Sequence, residues 1–149
     1  MTAPAGDPVA RLLDLEAIKQ LKARYFRSVD SKQYADFRAV FTDDATIKGT
    51  FASGSDIDRF VADVADRHAG AVTVHRGADP EITFVDGDTA TGVWAMFDLL
   101  EWQEGGGPAE YPGFRGFRGF GYYHETYRRV DGKWKIAELE LTRTRIDPF

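Results

Sequence analysis

The spacing of apolar residues changes near residue 70, and this change limits the fold more than any other feature of the chain. Before it, apolar residues recur at helical spacing in three segments; after it, apolar and polar residues alternate as they do in strands. Helices followed by a run of strands are typical of an α+β fold with an antiparallel sheet, because βαβ units would alternate the two. We therefore predict three helices packed on one strongly curved, mainly antiparallel sheet.

The same pattern gives the approximate bounds of the elements. The first helix has Asp7 as its N-cap and Pro8 at its first position, and it runs to about Asp30. Two Asp-Gly sequences between strands predict hairpin turns, because glycine tolerates positive φ. The second helix carries an apolar stripe over 34–41 and ends at 42–44, and the third helix runs from a Ser55 cap to His68. A short strand could form at 46–51. The remaining strands are predicted at 71–76, 81–85, 89–100, 117–130 and 133–146.

One domain accounts for the 149 residues, because two would each be small for an independent core. We assign residues 1–6 to a flexible tail and residues 7–149 to the domain. The first residues lack the basic and apolar segments of a signal peptide, and no apolar run approaches the roughly 18 residues that suggest a membrane helix. We expect a cytoplasmic protein that does not contact a membrane.

The composition excludes several kinds of chemistry. Without cysteine the chain has no thiol nucleophile and no disulfide. Its 24 acidic and 19 basic residues give a net charge of −5, which disfavours binding to nucleic acid. No spacing of histidines and acidic residues is typical of a zinc site, and no glycine-rich loop joins a strand to a helix as nucleotide-binding folds require. We expect neither a metal nor another cofactor, so histidines and carboxylates remain as the acid–base groups.

A glycine-rich segment at 105–121 holds seven of the 15 glycines. Its Phe-Arg-Gly repeats are superficially similar to segments that bind single-stranded nucleic acid, but the positive charge such binding needs is missing. We interpret it as a long loop between two strands, of the kind that often serves as a lid. Phe114, Phe117 and Phe120 could form part of a pocket rim, or they could fill core or interface.

Three histidines are candidates for acid–base work near neutral pH. His68 ends the third helix, where a structural interaction with the helix dipole is the simpler interpretation. His124 alternates onto one face of a strand with Tyr122 and is also interpreted as structural. His75 lies close to a predicted strand end, and taken alone it too would more often be structural than catalytic.

Several stretches in order along the chain resemble one family. They are residues 15–26, Asp30, Phe41-Thr42-Asp43-Asp44-Ala45, His75, Gly87-Asp88-Thr89-Ala90 and residues 127–136. On these stretches the chain resembles the SnoaL-like branch of the nuclear transport factor 2-like superfamily. That branch is similar to scytalone dehydratase, bile-acid 7α-dehydratase and hexachlorocyclohexane dehydrochlorinase. The resemblance implies a cone-shaped α+β barrel, also described as cystatin-like, whose curved sheet and helices enclose an apolar cavity.

The resemblance also implies catalytic residues. An Asp–His acid–base pair falls on Asp30 and His75, with Tyr25 as an assisting tyrosine. In such a pair the carboxylate fixes the tautomer of the imidazole, whose other nitrogen moves a substrate proton. The catalytic arginine of the dehydrochlorinase-like members aligns with Leu139. By strand alternation, Arg143 and Arg145 share a face with Leu139. If Leu139 faces the cavity, Arg143 could reach the cavity mouth; the alternative is an exposed arginine at the strand end or a subunit contact.

Aromatic side chains are expected to line this cavity, namely Phe26, Phe41, Trp94, Phe117 and Tyr123. The function that follows is a small metal-independent lyase, similar to a dehydratase, acting on an apolar oxygenated ring. A ketosteroid-isomerase-like isomerase and a non-catalytic small-molecule-binding domain are the alternatives, and an epoxide hydrolase ranks lower because only one aspartate is clearly placed. Members of the family usually associate through the outer face of the sheet, so we expect a homodimer or a homotrimer.

Overall fold

The computed structural model describes residues 6–149, which form three helices and five strands. The predicted tail lies almost wholly outside the described residues. The helices are α1 (Pro8–Asp30), α2 (Tyr34–Ala39) and α3 (Ile57–His68), and the strands are β1 (Phe41–Lys48), β2 (Ala71–Phe84), β3 (Thr89–Trp102), β4 (Gly116–Val130) and β5 (Lys133–Pro148). Among these described elements no helix has both the length and the apolarity of a membrane span.

The five strands form one sheet in the order β1-β5-β4-β3-β2. Strands β2 to β5 pair antiparallel with their neighbours, whereas β1 runs parallel to β5. The register shifts in each of these pairs except β3–β4, and such bulges bend a strand and increase its twist. The predicted α+β class and mainly antiparallel sheet are confirmed. The sheet is open rather than a closed barrel, so β2 forms one edge and lies beside α1.

The ends of the two long helices follow from local chemistry. The Asp7 carboxylate accepts a hydrogen bond from the backbone N–H of Val9, as predicted for an N-cap. At the other end, α1 stops at Asp30, and Lys32 turns the chain with a positive φ of 59°. The N-cap of α3 is Asp56 and not the predicted Ser55, because the Asp56 carboxylate is the group that accepts from the Arg59 N–H.

Two strand predictions need correction. Phe41 begins β1 instead of ending the second helix, because its backbone pairs with Ile136 of β5 and its ring is fully buried. The predicted strands 71–76 and 81–85 are one strand, β2. Its register shifts between Ala78 and Glu81, where Asp79 has a φ of 50°, and this bulge interrupts the alternating pattern.

A buried ion pair lies inside the apolar core between α1 and the sheet. Lys22 Nζ is 3.0 Å from Glu125 Oε2, and both side chains are 0% exposed. The lysine nitrogen also lies 3.7 Å from the ring centroids of Tyr25 and Tyr123. Burial lowers the pKa of Lys22 to about 8, against the opposing attraction of Glu125. A charge pair in such surroundings depends on both partners, since either one alone would be buried without compensation.

Removing one partner of this pair should therefore be far more damaging than removing both. We expect Lys22→Met to lower the free energy of unfolding by about 3–5 kcal/mol, because Glu125 is then left buried without its counter-charge. The double variant Lys22→Met with Glu125→Gln should recover at least half of this loss. Urea unfolding measures both, with Lys19→Met on the exposed face of α1 as the control. Additive losses in the double variant would show that the pair is not coupled.

Candidate active site

A cavity of about 570 Å³ lies between the helices and the inner face of the sheet. Its wall is mostly apolar and aromatic, with residues from every helix and from β2, β3, β4 and β5. A few polar side chains converge on it, among them His75, Asp98 and Arg143. A largely apolar cavity with a small number of placed polar groups is the usual form of a small-molecule site.

Asp30 and His75 are in direct contact at this wall. His75 Nδ1 is 2.7 Å from Asp30 Oδ1, and the backbone N–H of His75 donates to Asp30 Oδ2 at 2.8 Å. The Thr73 hydroxyl donates to Oδ1 at 3.0 Å, and Arg76 Nη1 approaches Oδ2 at 3.2 Å. A carboxylate beside Nδ1 favours the tautomer with the proton on that nitrogen, which leaves Nε2 bare and able to accept a proton.

The edge of the sheet explains why Asp30 takes this position. Strand β2 has no neighbour on its outer side, so its outward N–H groups need other partners. The carboxylate at the end of α1 supplies one by accepting from His75 N–H. In an ideal helix the side chains of Tyr25 and Asp30 would point about 140° apart. Both serve one site because α1 ends at Asp30: Tyr25 lines the cavity, and Asp30 reaches His75 from behind.

The charge of Asp30 is stabilised in this setting. Partial burial by itself raises the pKa of its carboxyl group, but hydrogen bonds from the ring and backbone of His75 and from Thr73 outweigh it. The net result is a pKa below the ordinary value for aspartate. The carboxylate therefore stays ionised at neutral pH and can stabilise an imidazolium that forms on His75.

A second charged pair, Asp98 with Arg143, lies on the same wall. Arg143 Nη1 and Nη2 donate to the two oxygens of Asp98 at 2.9 and 2.7 Å, a bidentate geometry. Asp98 is the register partner of His75 in the β2–β3 pair. Gly119 lies between the two partners, and a Cβ there would overlap both the guanidinium and the carboxylate. The sequence prediction had placed Arg143 here and had missed Asp98. Arg145 is exposed and bonds to Asp147 instead.

Tyr25 and Tyr123 lie on the cavity wall directly above the buried Lys22. Their ring centroids are 5.9 Å apart. Burial raises the pKa of both hydroxyls, with the nearby Glu125 adding to the effect at Tyr25 and Asp98 adding to it at Tyr123. Both therefore remain protonated near neutral pH and can act as hydrogen-bond donors.

The structure brings only part of the predicted aromatic set to the cavity. Phe117 and Tyr123 line it, whereas Phe26, Phe41 and Trp94 do not. Phe26 follows Tyr25 by one residue and so is turned about 100° around the helix, where it packs against Gly77. The Phe41 ring is enclosed by Phe37 and Phe60, and the Trp94 indole donates to the hydroxyl of Tyr127 in the core.

The loop 103–115 covers one side of the cavity. Pro108, Tyr111 and Phe114 of this loop line the cavity together with Phe117 of β4. The rings of Phe114 and Phe117 are stacked at 6.3 Å. Phe120 does not take part, since it lies on the opposite face of β4 against Phe97.

His68 lies in the cavity wall, which the sequence prediction did not foresee. Its ring stacks on that of His75 with centroids 5.6 Å apart, and the residue is 3% exposed. Burial lowers its pKa to about 4, so it is neutral at physiological pH. A charge interaction with the dipole of α3 is thus not its role. The signal was present in the sequence, because His68 follows Val64 by four residues on the apolar stripe of α3.

The fold and the sequence identify the family. The sequence profile of the SnoaL-like domain matches residues 10–140. The chain therefore belongs to the SnoaL-like domain family, and its fold is of the nuclear transport factor 2-like kind.

Several solved structures share this fold. A hexachlorocyclohexane dehydrochlorinase, LinA type 2, has a TM-score of 0.78 at 22% identity, over 96% of this chain and 93% of the other. A candidate scytalone dehydratase from Novosphingobium aromaticivorans has a TM-score of 0.78 at 20% identity, over 93% and 89%. A protein of unknown function from Mycobacterium tuberculosis has a TM-score of 0.74 at 26% identity, over 95% and 78%.

The low pKa of His68 predicts a pH effect on stability. Above about pH 6.5 this histidine is neutral in both the folded and the unfolded chain, so it contributes no pH dependence. Between pH 6.5 and about 4 the unfolded chain binds a proton that the folded chain does not, so the free energy of unfolding falls as the pH falls, by about 3 kcal/mol in total. The ionisable groups around His68 are His75, Asp30, Lys32 and Asp98.

Chemical denaturation of wild type and His68→Phe at several pH values between 4 and 7 tests this effect. The variant should lose less stability on acidification and should be at least as stable as wild type at pH 5. Asp30 affects stability in a lower pH range than His68. Its lowered pKa reflects stabilisation of the folded protein that is present above pH 3.8 and is lost as the pH falls below that value. Equal acid sensitivity of the two proteins would contradict a buried, neutral His68.

Proposed function

We propose that this protein is a small metal-independent lyase, similar to a dehydratase, that acts on an apolar oxygenated ring. The observation that carries the proposal is the contact between Asp30 and His75 at the wall of a 570 Å³ apolar cavity. Membership of the SnoaL-like family and the shared fold with a dehydrochlorinase and a candidate dehydratase support catalysis of an elimination. Both of those reactions, by their names, remove a small leaving group from an organic substrate.

In the proposed reaction His75 acts first as a base and then as an acid. Its Nε2 takes a proton from a carbon next to a carbonyl or an activating ring, and the electron pair of that C–H bond forms a carbon–carbon double bond. The hydroxyl on the adjacent carbon leaves with the proton returned from the imidazolium, so water is released. Asp30 holds the imidazole in position and stabilises its charge between the two steps.

The substrate oxygen needs a partner while negative charge develops on it. Arg143 lies on the same wall as His75, and its guanidinium is fixed by the bidentate contact with Asp98. The protonated hydroxyls of Tyr25 and Tyr123 are further donors at the cavity wall. Donors that are already fixed in place stabilise a transition state without having to reorganise.

An isomerase is the second candidate, and the two buried tyrosine hydroxyls favour it. They would stabilise an enolate equally well if the proton removed by His75 were returned to another carbon of the ring.

An epoxide hydrolase ranks lower, because it needs two aspartates and an arginine that act together on a water molecule. Asp98 adds a second aspartate to the cavity, but Arg143 bonds to Asp98 alone. Asp30 bonds to His75, so one arginine does not join the two carboxylates. Analysis of the product separates all three, since only the lyase releases water.

Substitution of the pair tests the proposal. We expect His75→Ala and Asp30→Asn each to lower kcat by roughly 10²–10⁴-fold, the usual contribution of a positioned acid–base group. The melting temperature should stay within a few degrees, because Asp30→Asn keeps the shape of the side chain and one of its two acceptor oxygens and so loses about one hydrogen bond. In His75→Ala the carboxylate still accepts from Thr73 and from the backbone N–H of residue 75. Turnover is followed by mass spectrometry on a panel of β-hydroxy ring ketones that wild type dehydrates.

His124→Ala is the matched control, because His124 is exposed on the outer face of β4 and bonds to Thr142. It should leave turnover unchanged. Wild-type rates in both His75→Ala and Asp30→Asn would refute the proposed pair.

A further inference from the structure

His68 occupies a position in α3 where an apolar residue would be expected. The buried residues of this helix are Ile57, Phe60, Val61, Val64 and His68, which follow one another at helical spacing along a single face. The first four are apolar and only His68 is polar, although Phe60 and Val64 line the same cavity. A leucine or phenylalanine would satisfy the packing requirement there, so the imidazole is not explained by the fold.

The imidazole also lacks a partner. Nδ1 of His68 is buried and makes no hydrogen bond with any residue that the structure describes. Leaving such a group unsatisfied destabilises a folded protein, and most buried polar groups avoid it. Tyr34 and Thr42 also carry unpartnered hydroxyl oxygens, but neither residue lines the cavity. His68 differs from them because it forms part of the cavity wall.

The neighbours of His68 connect it with the proposed reaction. Its ring stacks on His75 at 5.6 Å with an angle of 28° between the planes, and Phe51 lies on it at 6.4 Å. A molecule that brings a carbon to His75 thus brings its nearby substituents to His68. Because burial keeps the pKa of His68 near 4, this imidazole is neutral at physiological pH and does not compete with His75 for the transferred proton. A neutral imidazole can both donate and accept a hydrogen bond.

We propose that His68 is a substrate-binding residue that hydrogen-bonds an oxygen atom carried by the same ring whose carbon reacts at His75. The proposal rests on the proposed function for the position of the reacting carbon. It narrows the substrate class to rings that carry a hydroxyl or carbonyl close to the C–H bond that is broken. It also explains why a destabilising histidine is kept in the wall of an otherwise apolar cavity, since strained or unsatisfied groups collect at functional sites.

The test compares two probes of equal ring size, 2-tetralone and tetralin, which differ in one carbonyl oxygen. Neither can lose water, so binding is measured without turnover, and the result does not depend on whether the Asp30–His75 pair is catalytic. NMR titration gives the dissociation constant of each probe. The preference for the ketone is the dissociation constant of tetralin divided by that of 2-tetralone. We expect this preference to be about tenfold larger in wild type than in His68→Phe, which is the effect of about one hydrogen bond.

His68→Phe is chosen because it keeps an aromatic ring against His75 and removes only the nitrogens. Its affinity for tetralin should stay within about twofold of wild type, which shows that the cavity is intact. His124→Phe, on the outer face of the sheet, should preserve the wild-type preference for the ketone. If His68→Phe also preserves it, the histidine only supports the ring of His75 and the proposal is overturned.

A second measurement needs no variant. In ¹⁵N-labelled wild type the ring nitrogen signals of His68 should move when 2-tetralone is added and stay in place when tetralin is added. Equal shifts with both probes would contradict a hydrogen bond to the oxygen. Full turnover in His75→Ala would refute the catalytic role of the Asp30–His75 pair, but it would leave the result of either experiment valid for the binding site.

Discussion

The Asp30 carboxylate is the contact on which the rest of the site depends. It ends α1 and accepts hydrogen bonds from the backbone and the ring of His75 and from the hydroxyl of Thr73. One side chain thus joins the longest helix to the free edge of the sheet and orients the imidazole at the same time. The two roles share a cause, since the edge strand β2 has outward N–H groups that need an acceptor. The contact between Asp30 and His75 is therefore made by a helix and a strand of the fold.

Two of the charged side chains in and beneath the cavity wall are each paired with a group of opposite charge. Lys22 is neutralised by Glu125 beneath the tyrosines, and Arg143 is neutralised by Asp98 on the wall. Each pair can stay in apolar surroundings because both partners are present. Close to Asp30, the cavity wall therefore offers the imidazoles of His68 and His75 as hydrogen-bonding groups that are not part of a charge pair of this kind. The proposed division of labour follows: His75 moves the proton, and His68 holds a neighbouring oxygen.

The sequence predicted the fold and part of the site for identifiable reasons. The start of α1 at Asp7-Pro8 and its end near Asp30 follow from local chemistry, and the order of helices and strands follows from the change of period. The proximity of Asp30 and His75 was implied by the family resemblance alone. Asp98 and Glu125 could not be foreseen, because their partners Arg143 and Lys22 are far along the chain and meet them only through the register of the sheet and the packing of α1.

Which aromatic residues face the cavity was harder to predict from the sequence. Alternation says that two residues share a face, but it does not say which part of that face meets the cavity and which meets the core. Phe117, Tyr123 and Trp94 were all predicted to line the cavity, but only Phe117 and Tyr123 do so. Trp94 lies in the core, where its indole donates a hydrogen bond to Tyr127. His68 was misinterpreted for a different reason: its place at the end of a helix was given more weight than its place on the apolar stripe.

The tautomer of His75 is the most direct test of the proposed reaction, because the first step, in which Nε2 takes a proton from the substrate, requires a proton on Nδ1 and a bare Nε2. Two-bond ¹H–¹⁵N correlation spectra of the wild-type protein at neutral pH distinguish the two tautomers. We expect the Nδ1–H form, with the proton of that nitrogen shifted downfield by its hydrogen bond to Asp30, and a loss of this shift in Asp30→Asn. A His75 protonated on Nε2, with Nδ1 bare beside the carboxylate, would contradict the proposed reaction.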